Sequence, residues 1–84
     1  MNEATTYPKR TRTVCNYIRK HREVSDDLEL IHGDGYWYFD GESVRGWFAT
    51  SVMVFHLGDL TLDKWLAEYD YLKAHRGTHG VAIS

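Results

Sequence analysis

Two Asp-Gly pairs, Asp34-Gly35 and Asp40-Gly41, stand six residues apart and enclose the aromatic run "YWYF". No other feature of the chain narrows the possible folds as much. Asp-Gly between apolar runs is the strongest short hairpin signal, because a type I′ turn needs positive φ at both central residues. The run before it, "LELIH" (28–32), reads as a strand with Leu28 and Leu30 on one face and Glu29 and Ile31 on the other. The run after it, 36–39, reads as a second strand. Tyr36 and Tyr38 fall on one face, Trp37 and Phe39 on the other. Such residues favour a pleated, half-buried surface.

The flanking segments supply the cover. Val14, Tyr17, Ile18 and His21 recur at helical spacing, with Thr11 or Thr13 available to cap the start. Between Asp40 and the next strand, Val44, Trp47 and Phe48 suggest a short helix or helical turn, weakened by Gly46. "SVMVFHL" (51–57) is β-branched and almost continuously apolar. That pattern predicts a third strand at the sheet centre, covered on both faces. The clearest helix runs from Thr61 to Gly77. Thr61 is its N-cap, Leu60 and Trp65 occupy the positions of a hydrophobic staple, and Gly77 is its expected C-cap. Leu62, Trp65, Leu66, Tyr69 and Leu72 form its apolar stripe. The expected fold is α+β. A three-stranded antiparallel sheet carries an N-terminal, a short middle and a C-terminal helix, in the order α-β-β-α-β-α. The domain is expected over residues 11–77, with flexible tails at 1–10 and 78–84.

Eighty-four residues make one domain, and so short a chain needs a dense core or a partner. Three Trp, six Tyr and three Phe can provide the density. The single cysteine, Cys15, rules out an intramolecular disulfide and points to a reducing compartment. No apolar run approaches a membrane span, and the start Met1-Asn2-Glu3-Ala4 lacks the basic and apolar regions of a signal peptide. A soluble, cytoplasmic protein is expected.

Charge is unevenly placed. Residues 1–22 hold six basic residues against Glu3, a net of +5, while residues 23–84 hold four basic and eleven acidic ones, a net of −7. Either the two halves neutralise each other, in the fold or in a dimer, or each faces a partner of opposite charge.

Catalytic chemistry finds little to work with. Of the five histidines, only His75 and His79 have ligand spacing, and Gly77 interrupts the helix that would align them. Cys15 has no nearby acid, and Ser43 and Ser51 have no neighbouring base. Asp26 and Asp27 are adjacent and diverge on any regular element, which suits a turn. "GDG" lacks the length and lysine of a phosphate loop. No catalytic residue, metal or cofactor is expected. Nucleic-acid binding through the basic first helix is an alternative, with Tyr36, Trp37 and Tyr38 able to stack bases. Against it stand a sequence pI of about 6.2 and the carboxylates flanking those aromatics.

Protein recognition fits better. Tyr, Trp and Arg are enriched where binding energy concentrates. Tyr36 and Tyr38, rimmed by Asp34, Asp40 and Glu42, form the expected contact set for a basic, partly apolar partner; Arg19, Lys20 and Arg22 form a second one. A homodimer burying the same face is the simpler variant.

The segment "GYWYFDGESVRGWFATSVMVFHLGDLTLDKWLAEYDYL", residues 35–72, resembles a pattern in small proteins of phages and mobile elements. The pattern is a Gly-Tyr-x-Tyr-Phe strand, a Trp, a Val-x-Val strand, then Leu-Thr-Leu and a Trp on a helix. It spans 38 of the 84 residues, and most of its positions are structural. What the resemblance implies is context. Short, acidic, disulfide-free phage proteins often bind a host protein, and anti-CRISPR proteins are the best-known group of this kind. A non-enzymatic inhibitor of a host nucleic-acid machine, such as a CRISPR-Cas complex, is therefore the expected function. A structural protein of a phage or plasmid is a further alternative. No residue motif unites anti-CRISPR proteins, so the resemblance carries over no site.

Overall fold

The computed structural model describes residues 3–77, which form a three-stranded antiparallel sheet with two helices, a small α+β domain. Helix α1 spans Thr11–His21 and turns Val14, Cys15, Tyr17 and Ile18 inward. His21, expected on that stripe, is exposed with its ring beside Tyr17, and Cys15 takes the inward position. No side chain caps the helix start, since Arg10 is the N-cap and the Thr13 N–H bonds to the Arg10 carbonyl.

Strands β1 (Glu29–His32) and β2 (Trp37–Asp40) pair with Leu30 opposite Phe39 and His32 opposite Trp37. The connecting turn is closed by a Gly33 N–H to Tyr36 carbonyl bond of 2.8 Å, so Asp34 and Gly35 are its central residues. Only Gly35 has positive φ, +83°. The expected hairpin forms, but its turn is not type I′. Asp34 keeps the negative φ natural to an L residue and leaves the left-handed conformation to glycine.

β3 comprises only Ser51–Val52, pairing Trp37 with Val52 and Tyr38 with Ser51. The sheet order is β1-β2-β3, so β2 is central and β3 an edge. This corrects the expectation of a long central strand over 51–57. The chain turns away after Val52, where the Val54 N–H bonds back to the Val52 carbonyl. A 3-10 turn at Leu57–Asp59 then leads into α2, and Asp59 accepts from the His56 N–H at 3.0 Å. Both faces are not covered either. Met53 is 74% and Phe55 71% exposed.

Helix α2 (Leu62–Ala74) starts as the sequence predicts. The Thr61 hydroxyl accepts from the Lys64 N–H, and Leu60 packs at the core margin. It ends earlier than expected, at His75 rather than Gly77. The His75 N–H bonds to the Tyr71 and Leu72 carbonyls, and the Arg76 guanidinium bonds to the Lys73 carbonyl, so the last turn is satisfied without a glycine.

Trp65 and Tyr69 of α2, Val14 and Ile18 of α1, and Leu30, Phe39 and Val52 of the sheet share one core, so both helices cover the same sheet face. Trp65 is fully buried, and its indole N–H donates to the Leu57 carbonyl at 3.0 Å. Trp37, which shares the face of Phe39 as expected, is only half-buried at the core edge. It stacks on His32 with ring centroids 4.2 Å apart. Residues 3–10, expected as a tail, make contacts with the domain. Pro8 is buried, the Thr6 carbonyl accepts from the Leu62 N–H, and a 3-10 turn at Glu3–Thr5 lies against α2. The expected tail at 78–84 lies outside the described residues. Among the described residues, no helix is long and apolar enough to cross a membrane.

Candidate functional site

With both helices on one side, alternation along the strands assigns the opposite face to Glu29, Ile31, Tyr38, Asp40 and Ser51. Tyr36 extends that face beyond the end of β2. Its ring lies over Gly33, where an added Cβ would sit 2.4 Å from the ring. The glycine thus provides the bed on which Tyr36 rests. The rings of Tyr36 and Tyr38 are neighbours, 6.1 Å apart and tilted by 36°. Both are half-buried, on the sheet face turned away from the two helices.

The acidic rim is present, but its members differ. Asp34 sits exposed at the hairpin tip and Asp40 exposed at the other end of β2. Neither carboxylate has a hydrogen bond or ion pair among the described residues. Glu42 lies on a 3-10 turn, Glu42–Val44, where it pairs with Arg45 at 3.1 Å. That turn is tied to the start of β1. The Asp27 carboxylate accepts the Glu42 N–H at 3.1 and 3.2 Å. Ser25 and Ser43 bond reciprocally through backbone and hydroxyl groups. The Ser25 hydroxyl and the Glu42 N–H hold the Asp27 carboxyl below its ordinary range.

The second expected set is largely engaged within the chain. Lys20 pairs with Glu3 at 2.9 Å. Arg22 grips Asp70 of α2 through two bonds of 2.9 and 2.6 Å, so basic α1 and acidic α2 partly neutralise each other. Arg19 donates to Asn16 and to the Asp26 carbonyl. It lies against Cys15 and Glu29 in a cleft of about 330 Å³ between α1 and β1. Burial pushes the Cys15 thiol up to about 11, opposed by the Arg19 charge and reinforced by Glu29. The thiol is therefore neutral at pH 7 and a poor nucleophile.

Sequence reasoning missed Met53 and Phe55. They follow β3 and are the most exposed large apolar side chains among the described residues. Phe55 stands beside the hairpin tip, where a Cβ on Gly35 would lie 3.7 Å from its ring. Its carbonyl accepts from the Trp37 indole N–H at 3.3 Å. The run Val52-Met53-Val54-Phe55 is apolar throughout, so no signal in the sequence sets Met53 and Phe55 apart from their buried neighbours. Apolar side chains exposed near an aromatic face mark an interaction surface more often than a catalytic one.

A second cleft, of about 540 Å³, opens where β2 meets the loop leading to β3, with Tyr38, Asp40, Arg45, Trp47 and Thr50 among its lining residues. Trp47 is fixed there by its ring contact with Tyr69 at 5.4 Å. Among the described residues, no group of three or more His, Cys, Asp or Glu side chains is placed to hold a metal ion. No family model, curated protein or solved structure matches the chain.

Proposed function

We propose that this protein is a non-enzymatic, phage-derived inhibitor that acts in the host cytoplasm. It docks its uncovered sheet face onto a basic surface of a host nucleic-acid machine such as a CRISPR-Cas complex. One observation carries the reading: the face away from both helices presents Tyr36 and Tyr38 between the carboxylates of Asp34 and Asp40, which have no partner among the described residues. Tyrosine supplies rigid contact area with few rotamers to freeze, and carboxylates at the rim steer a basic partner and select against acidic ones. A surface that binds nucleic acid is basic, so carboxylates on an inhibitor can occupy the positions its phosphates would take. The intramolecular pairing of Lys20 and Arg22 supports a protein partner over a phosphate backbone, because those two cations are already engaged.

The test is a plasmid-interference assay in bacteria carrying an active CRISPR-Cas system, run across several system types. Expression of the protein should restore transformation by the targeted plasmid in at least one type. No restoration in any type, together with an electrophoretic shift of DNA or RNA by the protein alone, contradicts the proposal.

A further inference from the structure

We infer that this protein associates with a second copy of itself through a two-fold contact, in which the basic start of α1 in each copy meets the acidic end of the β1–β2 ladder in the other. The inference goes beyond the host reading and stands without it.

Two patches of opposite sign are left unbalanced in the single chain. The first is basic. Lys9, Arg10 and Arg12 are exposed, and their side chains have no hydrogen bond or ion pair among the described residues. They gather at the N-terminus of α1, where Arg10 is the N-cap and no acidic residue stands in the first turn. Cations at that end oppose the helix dipole. The second patch is acidic. Glu29 and Asp40 face each other across the β1–β2 ladder, both exposed, and neither carboxylate is paired among the described residues. Like charges directly opposite on a ladder are destabilising. Elsewhere the same helix obeys the rule these patches break, since Lys20 and Arg22 both find carboxylates within the chain. Sites where a sequence departs from its own local rules are those where a partner supplies the missing charge.

Placement names the partner. Arg12 of the basic patch and Glu29 of the acidic patch line the same cleft between α1 and β1, yet form no ion pair with each other. The two patches therefore adjoin. A positive patch beside a negative one is complementary to its own copy after half a turn about an axis passing between them, so each copy gives and receives the same contact. A phosphate backbone would neutralise only the basic patch, and a basic host surface only the acidic one. A second copy neutralises both at once. The contact joins exposed charges, so it is weak and screened by salt. It takes up Asp40, so self-association and docking onto a host surface exclude each other.

The test is sedimentation equilibrium of the full chain at up to about 1 mM protein, in about 0.05 M and about 0.5 M salt. A monomer–dimer equilibrium is expected, with the dissociation constant raised about tenfold or more at the higher salt. The triple variant Lys9→Glu, Arg10→Glu, Arg12→Glu makes both patches negative, and the double variant Glu29→Lys, Asp40→Lys makes both positive. Each should be monomeric alone. An equimolar mixture of the two should associate as a heterodimer, because every contact again joins opposite signs. A wild type that stays monomeric at low salt, association that salt does not weaken, open-ended oligomers, variants that still self-associate, or a mixture that stays monomeric would each overturn the inference. The wild-type salt series involves no substitution, so it decides the matter should a charge-reversed chain fail to fold.

Discussion

The Phe39 ring meets the Trp65 indole edge to face, with centroids 6.3 Å apart and planes at 86°. Phe39 meets Tyr69 in the same way at 5.4 Å. The central strand thus points one aromatic into helix α2, while its neighbour Tyr38 points to the uncovered side. This relationship divides the sheet into a face that holds the fold and a face turned away from both helices. Trp65 is the keystone of the first. Trp65→Ala should cost about 3–5 kcal/mol, from lost burial, the cavity left behind and the orphaned Leu57 carbonyl. Small domains have only roughly 5–15 kcal/mol in reserve. Denaturant unfolding should show a large fall in midpoint or no cooperative transition. A near wild-type midpoint would mean that α2 does not dock through this residue.

Two glycines separate stability from presentation. Gly41→Ala places a Cβ 2.8 Å from the Asp27 carbonyl at φ +126° and should destabilise by about 1–3 kcal/mol. At Gly33 the obstacle is the ring of Tyr36, a movable side chain, and φ is not positive. Gly33→Ala should leave the unfolding midpoint almost unchanged while displacing Tyr36, which two-dimensional NMR of its ring protons would detect. The reverse ranking of stabilities would contradict the turn geometry.

Cys15 gives the fold a signature at high pH. Its thiol is neutral in the folded protein up to about 11, whereas in the unfolded chain it ionises near 9. The unfolded state therefore loses its proton first, and the stability tied to the neutral thiol, full below pH 9, declines as pH rises through 11. Denaturant midpoints measured from pH 8 to pH 11 should fall more steeply for the wild type than for Cys15→Ala. Alkylation of the folded protein at pH 8.5 should be much slower than that of the unfolded chain. Equal slopes and equal alkylation rates would place the thiol in solvent.

Much of this division is legible in local chemistry. Helix α2 is announced by Thr61, Leu60 and Trp65, because caps and staples act within one turn. The hairpin is announced by Asp34-Gly35, and the alternation of Tyr36 to Phe39 assigns Tyr38 and Phe39 to opposite faces. The place of β3 is not legible. A run such as Ser51–Leu57 has the composition of a strand buried on both faces, and only the turn after Val52 leaves Met53 and Phe55 in solvent. Nor is the pairing of Arg22 with Asp70, 48 positions apart, since no local rule links them. The cleft beside Tyr38 depends on the bends at Gly41 and Gly46, which bring Trp47 back to a strand it left behind.

The most direct measurement pairs stability with inhibition in the variant Asp34→Lys, Asp40→Lys, Glu42→Lys. All three residues are exposed, and Asp34 and Asp40 have no partners among the described residues, so surface changes of this kind should alter stability by only about 0.5 kcal/mol each. The account predicts an unchanged circular dichroism spectrum, a nearly unchanged melting curve and loss of plasmid protection in the interference assay. A folded triple variant that protects the plasmid as well as the wild type would contradict it.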